Sequence, residues 1–202
     1  MKPLLIDIID HPIKSILFLG YSRGDTILID KLIDCGCEVW HSDEKIDEID
    51  DYDLVISFGY RHIINKELIK KTSVPIINLH ISYLPWNRGA HPNFWAFYDG
   101  TPSGVTIHLI DLGIDTGPII FQKKIFFNPQ EFTFAQTYQI LIEEIQNLFI
   151  EKIQQIINLD YQLFPQPPGG SYHKKNDLPK NFLEWDKNIA DEINRIHLNS
   201  KE

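Results

Sequence analysis

Residues 54–80, LVISFGYRHIINKELIKKTSVPIINLH, decide the fold. Leu54–Phe58 is a mainly apolar run, interrupted by Ser57 and closed by Gly59, the pattern of a buried strand. Lys66–Lys71 reads as a short helix, and Ile76–His80 is a second apolar run ending on a histidine. Upstream, Ile16–Gly20 reads as another buried strand. Thr26–Cys35 then carries Ile27, Leu28, Leu32 and Ile33 at helical spacing and stops at Gly36, as a C-terminal cap does. Val39–Trp40 is a brief strand. Downstream come a helix at Asn93–Tyr98, strands at Val105–Ile110 and Ile119–Ile125, and the longest helical pattern, Phe134–Leu159. Strands alternating with helices predict an α/β fold with a mostly parallel sheet and flanking helices.

After Asp160 the texture changes. FPQPPGGSYHKKNDLP, residues 164–179, is too rich in proline and glycine for a regular element. The expected organisation is one domain over 1–165, with 166–202 forming a loop and a C-terminal helix packed on it. The first dozen residues and the acidic stretch 41–53 take no place in this scheme.

The sequence has 202 residues and a formal charge of −9, of which 41–53 alone carries seven acids against one lysine. Such a run reads as a solvated face. The acidic balance argues against nucleic acid, whose phosphates need clustered Lys and Arg. No apolar run reaches the length of a membrane helix, and Asp7 and Asp10 interrupt what a secretory leader would keep apolar. Cys35 and Cys37 are too close in sequence for an easy disulfide and form no C-x-x-C pair. A cytoplasmic enzyme without metal is expected, with a homodimer left open.

Two segments carry chemistry. The turn Gly20-Tyr-Ser-Arg-Gly24 follows the first strand, but Ser22 stands where a dinucleotide fingerprint needs its second glycine. It reads either as a structural turn or as an anion site. The denser segment is 78–118. Asn78 and His80 stand two apart at a strand's end, so they share a face, at the carboxyl edge where open α/β sheets bind ligands. An amide that donates to an oxyanion and an imidazole that exchanges a proton suit acyl chemistry. Asp111 and Asp115 flank a turn after another strand, where a carboxylate near His80 would raise its pKa and fix its tautomer.

The string Asn78-Leu-His80-x-Ser82-x-Leu84-Pro85-x-x-Arg88-Gly89-x-x-Pro92 resembles the signature of the 10-formyltetrahydrofolate-dependent formyltransferases. So does Gly104-Val-Thr-x-His108 followed by Asp111-x-Gly113-x-Asp115-Thr-Gly117-Pro-Ile. Glu184-Trp185-x-x-x-x-Ala190-x-x-Ile193-x-x-x-Ile196 looks like the family's post-domain helix. The resemblance implies a Rossmann-like, doubly wound catalytic domain and a catalytic trio of Asn78, His80 and Asp115. It implies 10-formyltetrahydrofolate as cosubstrate, with the pterin between Phe58, Gly59, Tyr60, Arg61, His62, Ile63 and Asp111, Leu112, Gly113, Ile114. Both segments follow strands, so both loops are expected on one sheet edge.

Within the family, Tyr60-Arg61-His62, the 82–95 run and Pro168–His173 resemble the sugar N-formyltransferases acting on nucleotide-linked 4-amino-4,6-dideoxy sugars. The resemblance therefore implies formyl transfer to a dTDP-4-amino-4,6-dideoxyglucose type of acceptor, for surface polysaccharide such as the lipopolysaccharide O-antigen. Ser82, Tyr83, Trp86, Asn87, Arg88 and His91 are the expected acceptor contacts. Methionyl-tRNA members continue into a second barrel domain, so tRNA is not the expected acceptor. The alternatives are another amine, such as glycinamide ribonucleotide, and a non-catalytic module that binds folate or nucleotide.

Overall fold

A computed structural model describes residues 2–199. The strands are β1 (Leu4–Leu5), β2 (Lys14–Gly20), β3 (Cys37–Ser42), β4 (Leu54–Phe58), β5 (Ile76–His80), β6 (Arg88–Gly89), β7 (Ser103–Leu109), β8 (Ile119–Ile125) and β9 (Tyr172–His173). The helices are α1 (Leu28–Asp34), α2 (Lys66–Lys71), α3 (Pro92–Tyr98), α4 (Phe134–Ile157) and α5 (Ile189–Asn199). Seven strands form one sheet in the order β1-β3-β2-β4-β5-β7-β8. The central β3, β2, β4 and β5 run parallel, while β1, β7 and β8 pair antiparallel at the flanks.

The central strands are apolar on both faces because both faces are covered. In β2, Ile16 and Phe18 pack on one side with Leu28 and Leu32 of α1 and with Leu141, Ile145 and Phe149 of α4. Leu17 and Leu19 face the other side and pack with Ile46, Ile49 and Ile64, against which Leu68 and Ile69 of α2 lie. Each fully buried aliphatic or phenyl side chain contributes about 1.5–3 kcal/mol. Helix α4 starts at a capping box: Thr133 Oγ1 accepts from Gln136 N, and Gln136 Oε1 accepts from Thr133 N. Losing such a cap costs about 1 kcal/mol.

Three expectations change. The initial residues are not unplaced, since Leu4–Leu5 extends the sheet edge beside Trp40 and His41. The acidic stretch is solvated only in part, because Ile46 and Ile49 anchor it beneath the sheet at 4% and 0% exposure. The segment after Asp160 contains a short strand, β9, in parallel with β6. Beyond it, Ile189 and Ile196 of α5 join Phe94, Trp95 and Phe134 in a separate apolar cluster.

Candidate active site

Asn78 and His80 lie on β5, and their side chains meet Asp115 from the loop after β7. Asn78 Nδ2 donates to Asp115 Oδ1 at 3.4 Å, and His80 Nε2 lies 3.7 Å from Asp115 Oδ2. Asp115 reaches them by a different route from the one expected. Strand β7 is antiparallel to β5, pairing Ile77 with Leu109 and His80 with Thr106, so its carboxyl end lies beside the start of β5. The loop must turn back to reach the carboxyl end of β5. Its two ends close where Leu109 N donates to Pro118 O at 3.0 Å, and Asp115 takes up a left-handed backbone at φ 51°. Gly117 permits the fold-back, because a Cβ there would drive into the Leu109 carbonyl.

A fourth side chain completes the cluster. His108 is 1% exposed, and its Nδ1–H donates to Leu109 O at 2.8 Å. In the neutral ring Nε2 is then an acceptor. It lies 3.2 Å from Asn78 Nδ2 and 3.6 Å from Asp115 Oδ1. The two N–H groups of Asn78 are thus directed at His108 and Asp115. The sequence shows His108 only as a motif position; its place opposite Asn78 in the β5–β7 ladder is a matter of register.

Burial dominates the electrostatics of His80. Removal from water pushes its pKa down, and the attraction of Asp115 opposes this only in part. The ring is therefore neutral at pH 7: the carboxylate raises the His80 pKa as expected, and burial outweighs it. Its Nε2 is buried without a hydrogen-bond partner among the described residues. For Asp115, burial favours the neutral acid, but His80, His108 and the Gly89 N–H, 2.8 Å from Oδ2, together outweigh it. The carboxyl is held well below the usual carboxylate range.

Two cavities meet at this cluster. The smaller, about 190 Å³, lies between 60–66 and 110–115 and includes Tyr60, His62, Ile63, Asp111, Leu112, Gly113 and Ile114. The larger, about 780 Å³, is lined by His80, His91, Tyr138 and Trp185 among others. Asn78, Asp115 and Tyr60 line both. Of the other residues expected at the pterin, Phe58 and Gly59 line the larger cavity and Arg61 neither. Despite the antiparallel β7, the two expected loops do form one cleft.

Among the expected acceptor contacts, only His91 lines the larger cavity. Ser82, Tyr83, Trp86, Asn87 and Arg88 line neither, and their polar groups brace the loop instead. Ser82 Oγ donates to Trp86 O, Asn87 Nδ2 donates to Thr101 Oγ1, and Arg88 Nε donates to Ser171 O. The larger cavity is walled by residues the sequence reading missed, including Tyr21, Asn93, Tyr138, Gln139 and Trp185. Tyr138 and Trp185 carried a signal, an aromatic on a helix off its apolar stripe and an aromatic in a polar tail. The Gly20–Gly24 turn is structural: Ser22 N and Oγ both donate to Asp25 Oδ2, which occupies the place an anion would take. Gly20 itself, at φ 105°, leaves no room for a Cβ against the Phe58 carbonyl.

Among the described residues no three His, Cys, Asp or Glu side chains group as a metal set, and no helix is long and apolar enough to cross a membrane. A family model described as formyl transferase matches residues 39–153. The formyltransferase PseJ from Anoxybacillus kamchatkensis has been solved in complex with UDP-4,6-dideoxy-4-formamido-L-AltNAc and tetrahydrofolate. It superposes with a TM-score of 0.83 at 40% identity, covering 90% of this chain and 99% of that one. Methionyl-tRNA formyltransferase of Clostridium beijerinckii is 32% identical over 157 residues, 76% of this chain and 49% of the relative. The dTDP-4-amino-4,6-dideoxyglucose formyltransferase of Mycobacterium bovis is 30% identical over 159 residues, 78% of this chain and 62% of the relative. The chain spans about half the length of the first curated relatives it matches.

Proposed function

The chain belongs to the formyl transferase family, and on that premise we propose that it is a sugar N-formyltransferase. It moves the formyl group of 10-formyltetrahydrofolate to the 4-amine of a UDP-linked 4-amino-4,6-dideoxy sugar. The observation that carries this reading is the position of Asn78 and Asp115 on the wall shared by two cavities, with His80 opening on the larger. A donor in one and an acceptor in the other would meet at that wall. The smaller cleft suits a flat ring with amide-like edges: Ile63, Ile64, Ile110, Leu112 and Ile114 supply apolar walls, and the 111–115 backbone supplies a polar rim. The larger has the room and the aromatic walls for a nucleotide sugar.

The chemistry forms a bond from the acceptor nitrogen to the formyl carbon and breaks the bond from that carbon to the folate nitrogen. One proton leaves the attacking amine and one arrives on the leaving nitrogen. Neutral His80 takes the first through Nε2 and, as imidazolium, returns it to the second. Ionised Asp115 stabilises the imidazolium. Asn78 exchanges its long 3.4 Å bond to Asp115 for one to the oxyanion developing on the transferred carbonyl.

The UDP-linked acceptor is favoured over the expected dTDP-linked one by the 40% identity to PseJ across 99% of that chain, against 30% to the dTDP-sugar enzyme. For a tRNA acceptor the charge is unfavourable, because the whole sequence carries −9. A product of this class would serve surface polysaccharide assembly. The test is formyl transfer from 10-formyltetrahydrofolate to UDP-linked and dTDP-linked 4-amino-4,6-dideoxy sugars, glycinamide ribonucleotide and methionyl-tRNA. The highest kcat/KM is expected for a UDP-linked sugar. Transfer only to glycinamide ribonucleotide or tRNA would overturn the reading.

A further inference from the structure

The proline- and glycine-rich segment after α4 runs behind both loops that carry the catalytic groups. Gln166 Nε2 donates to Asp115 O and to Gly117 O, each at 2.8 Å, spanning the fold-back that presents the carboxylate. Another support of Asp115 is the Gly89 N–H, and Gly89 lies in β6, which pairs with β9 of the same segment. Arg88 N donates to Ser171 O at 3.0 Å, and Ala90 N donates to His173 O at 2.9 Å.

On the His80 side, Ser171 Oγ accepts from Asn87 N at 2.8 Å and donates to Asn87 Oδ1 at 2.9 Å. Asn87 is fully buried and has φ 55°, and its backbone acts on the His80 ring in the direction that favours the protonated form. Neither Gln166 nor Ser171 lines either cavity.

Asp115 and Asn87 are thus non-glycine residues in left-handed backbone, a region they leave unless the surroundings over-determine them. One segment supplies that restraint at both places. We propose that residues 166–173 are a positioning strap for the reaction. Gln166 and β9 set the Asp115 carboxylate, and Ser171, acting through Asn87, sets the His80 ring. The strap touches neither substrate. Its contribution is the sub-ångström placement on which proton transfer and oxyanion stabilisation depend.

The proposal rests on the reading of His80 and Asp115 as catalytic, and its test separates the two. Gln166→Met keeps the volume and drops both N–H donors; Ser171→Ala drops the hydroxyl and Ser171→Thr keeps it. Each is measured for kcat, acceptor KM, tetrahydrofolate affinity, thermal midpoint and the pH profile of kcat/KM, beside His80→Ala. The expected result is a loss of kcat of several-fold to about 10²-fold for Gln166→Met and Ser171→Ala. Acceptor KM and folate affinity stay within about twofold, and Ser171→Thr restores turnover.

For Ser171→Ala the acid limb moves to lower pH, because the Asn87 backbone through which Ser171 acts is one of the groups that raise the His80 pKa. Gln166→Met carries the test if Ser171→Ala does not fold. A lowered thermal midpoint with unchanged kcat and an unmoved acid limb would make the segment structural only and overturn the strap. Near-normal turnover by His80→Ala would instead overturn the catalytic reading beneath it.

Discussion

The two halves of the Asn78–His80–Asp115 cluster come from strands that run in opposite directions. Asn78 and His80 ride on β5, the last of the parallel strands, and reach the carboxyl edge because every parallel strand in such a sheet ends there. Asp115 follows β7, which is antiparallel and ends at the other edge. Delivering it takes a loop that doubles back, a left-handed residue, a glycine packed on a carbonyl, and two hydrogen bonds from Gln166. The parallel side brings Asn78 and His80, the proposed reacting groups, to that edge on a regular strand. The antiparallel side provides their electrostatic partner only with help from the tail.

The sharpest way to break that comparison is to remove the reacting group. His80→Ala takes away an imidazole that lines the larger cavity with its Nε2 free of hydrogen bonds, so kcat should fall by about 10²–10⁴-fold, the range of general acid–base contributions. Folate binding should be retained, as read by titration with tetrahydrofolate, since His80 lines the other cavity. Turnover near the parent level would return the centre to the antiparallel side. Asn78→Ala comes next, with a loss on the order of 10²–10³-fold for one oxyanion donor. It should also loosen His108, whose Nε2 lies 3.2 Å from Asn78 Nδ2, so the His108 ring resonances should shift in an NMR spectrum. A large rate loss with the His108 ring unmoved would uncouple the two strands.

This asymmetry explains what could be read from the sequence. Period-two spacing places Asn78 and His80 on one face, mainly apolar runs mark β4 and β5 to the residue, and β8 is marked by its pattern between apolar ends. Strand direction leaves no such mark. β7 reads as one more strand after a helix, and only the ladder shows that it is reversed and that His108 faces Asn78. Asp115 was legible through family resemblance rather than spacing, because Asp and Gly also serve ordinary turns. The acceptor wall was the least legible. Tyr138 comes from α4 and Trp185 from the tail, and chain distance hides their convergence. Trp86 and Arg88 sit next to the catalytic strand in sequence, yet their loop packs inward, with Asn87 at 0% exposure.

The pH dependence sharpens the electrostatic side of the comparison. Burial lowers the His80 pKa, so the proton-accepting form persists below the ordinary histidine midpoint. The acid limb of kcat/KM should therefore lie below about pH 6.5, the unperturbed value. Asp115 attracts the imidazolium and so raises the His80 pKa against burial. Its removal in Asp115→Asn should carry the limb further to lower pH and reduce kcat, because the imidazolium formed in the reaction loses its partner. A limb that moved to higher pH would mean that Asp115 acts on some group other than His80.

The smallest effect concerns two tryptophans. Trp86 lies in the loop beside β5 but lines neither cavity, and its carbonyl is taken by Ser82 Oγ at 2.5 Å. Trp185 lines the larger cavity and is 38% exposed. The rings of Phe182 at 4.6 Å and Phe134 at 6.1 Å hold it from behind, and His91 lies 5.6 Å away at a 32° tilt. A ring fixed on one side and open on the other is a stacking surface for a base or a sugar face. Base stacking of about 1–3 kcal/mol sets the upper scale, and partial exposure keeps the effect toward its lower end. Trp185→Ala should raise the acceptor KM several-fold with folate affinity unchanged, because Trp185 does not line the smaller cleft. Trp86→Ala should leave acceptor KM near the parent value and lower thermal stability instead. If the two variants exchange these phenotypes, the acceptor lies over the loop next to the catalytic strand, and the tail has no share in the acceptor wall.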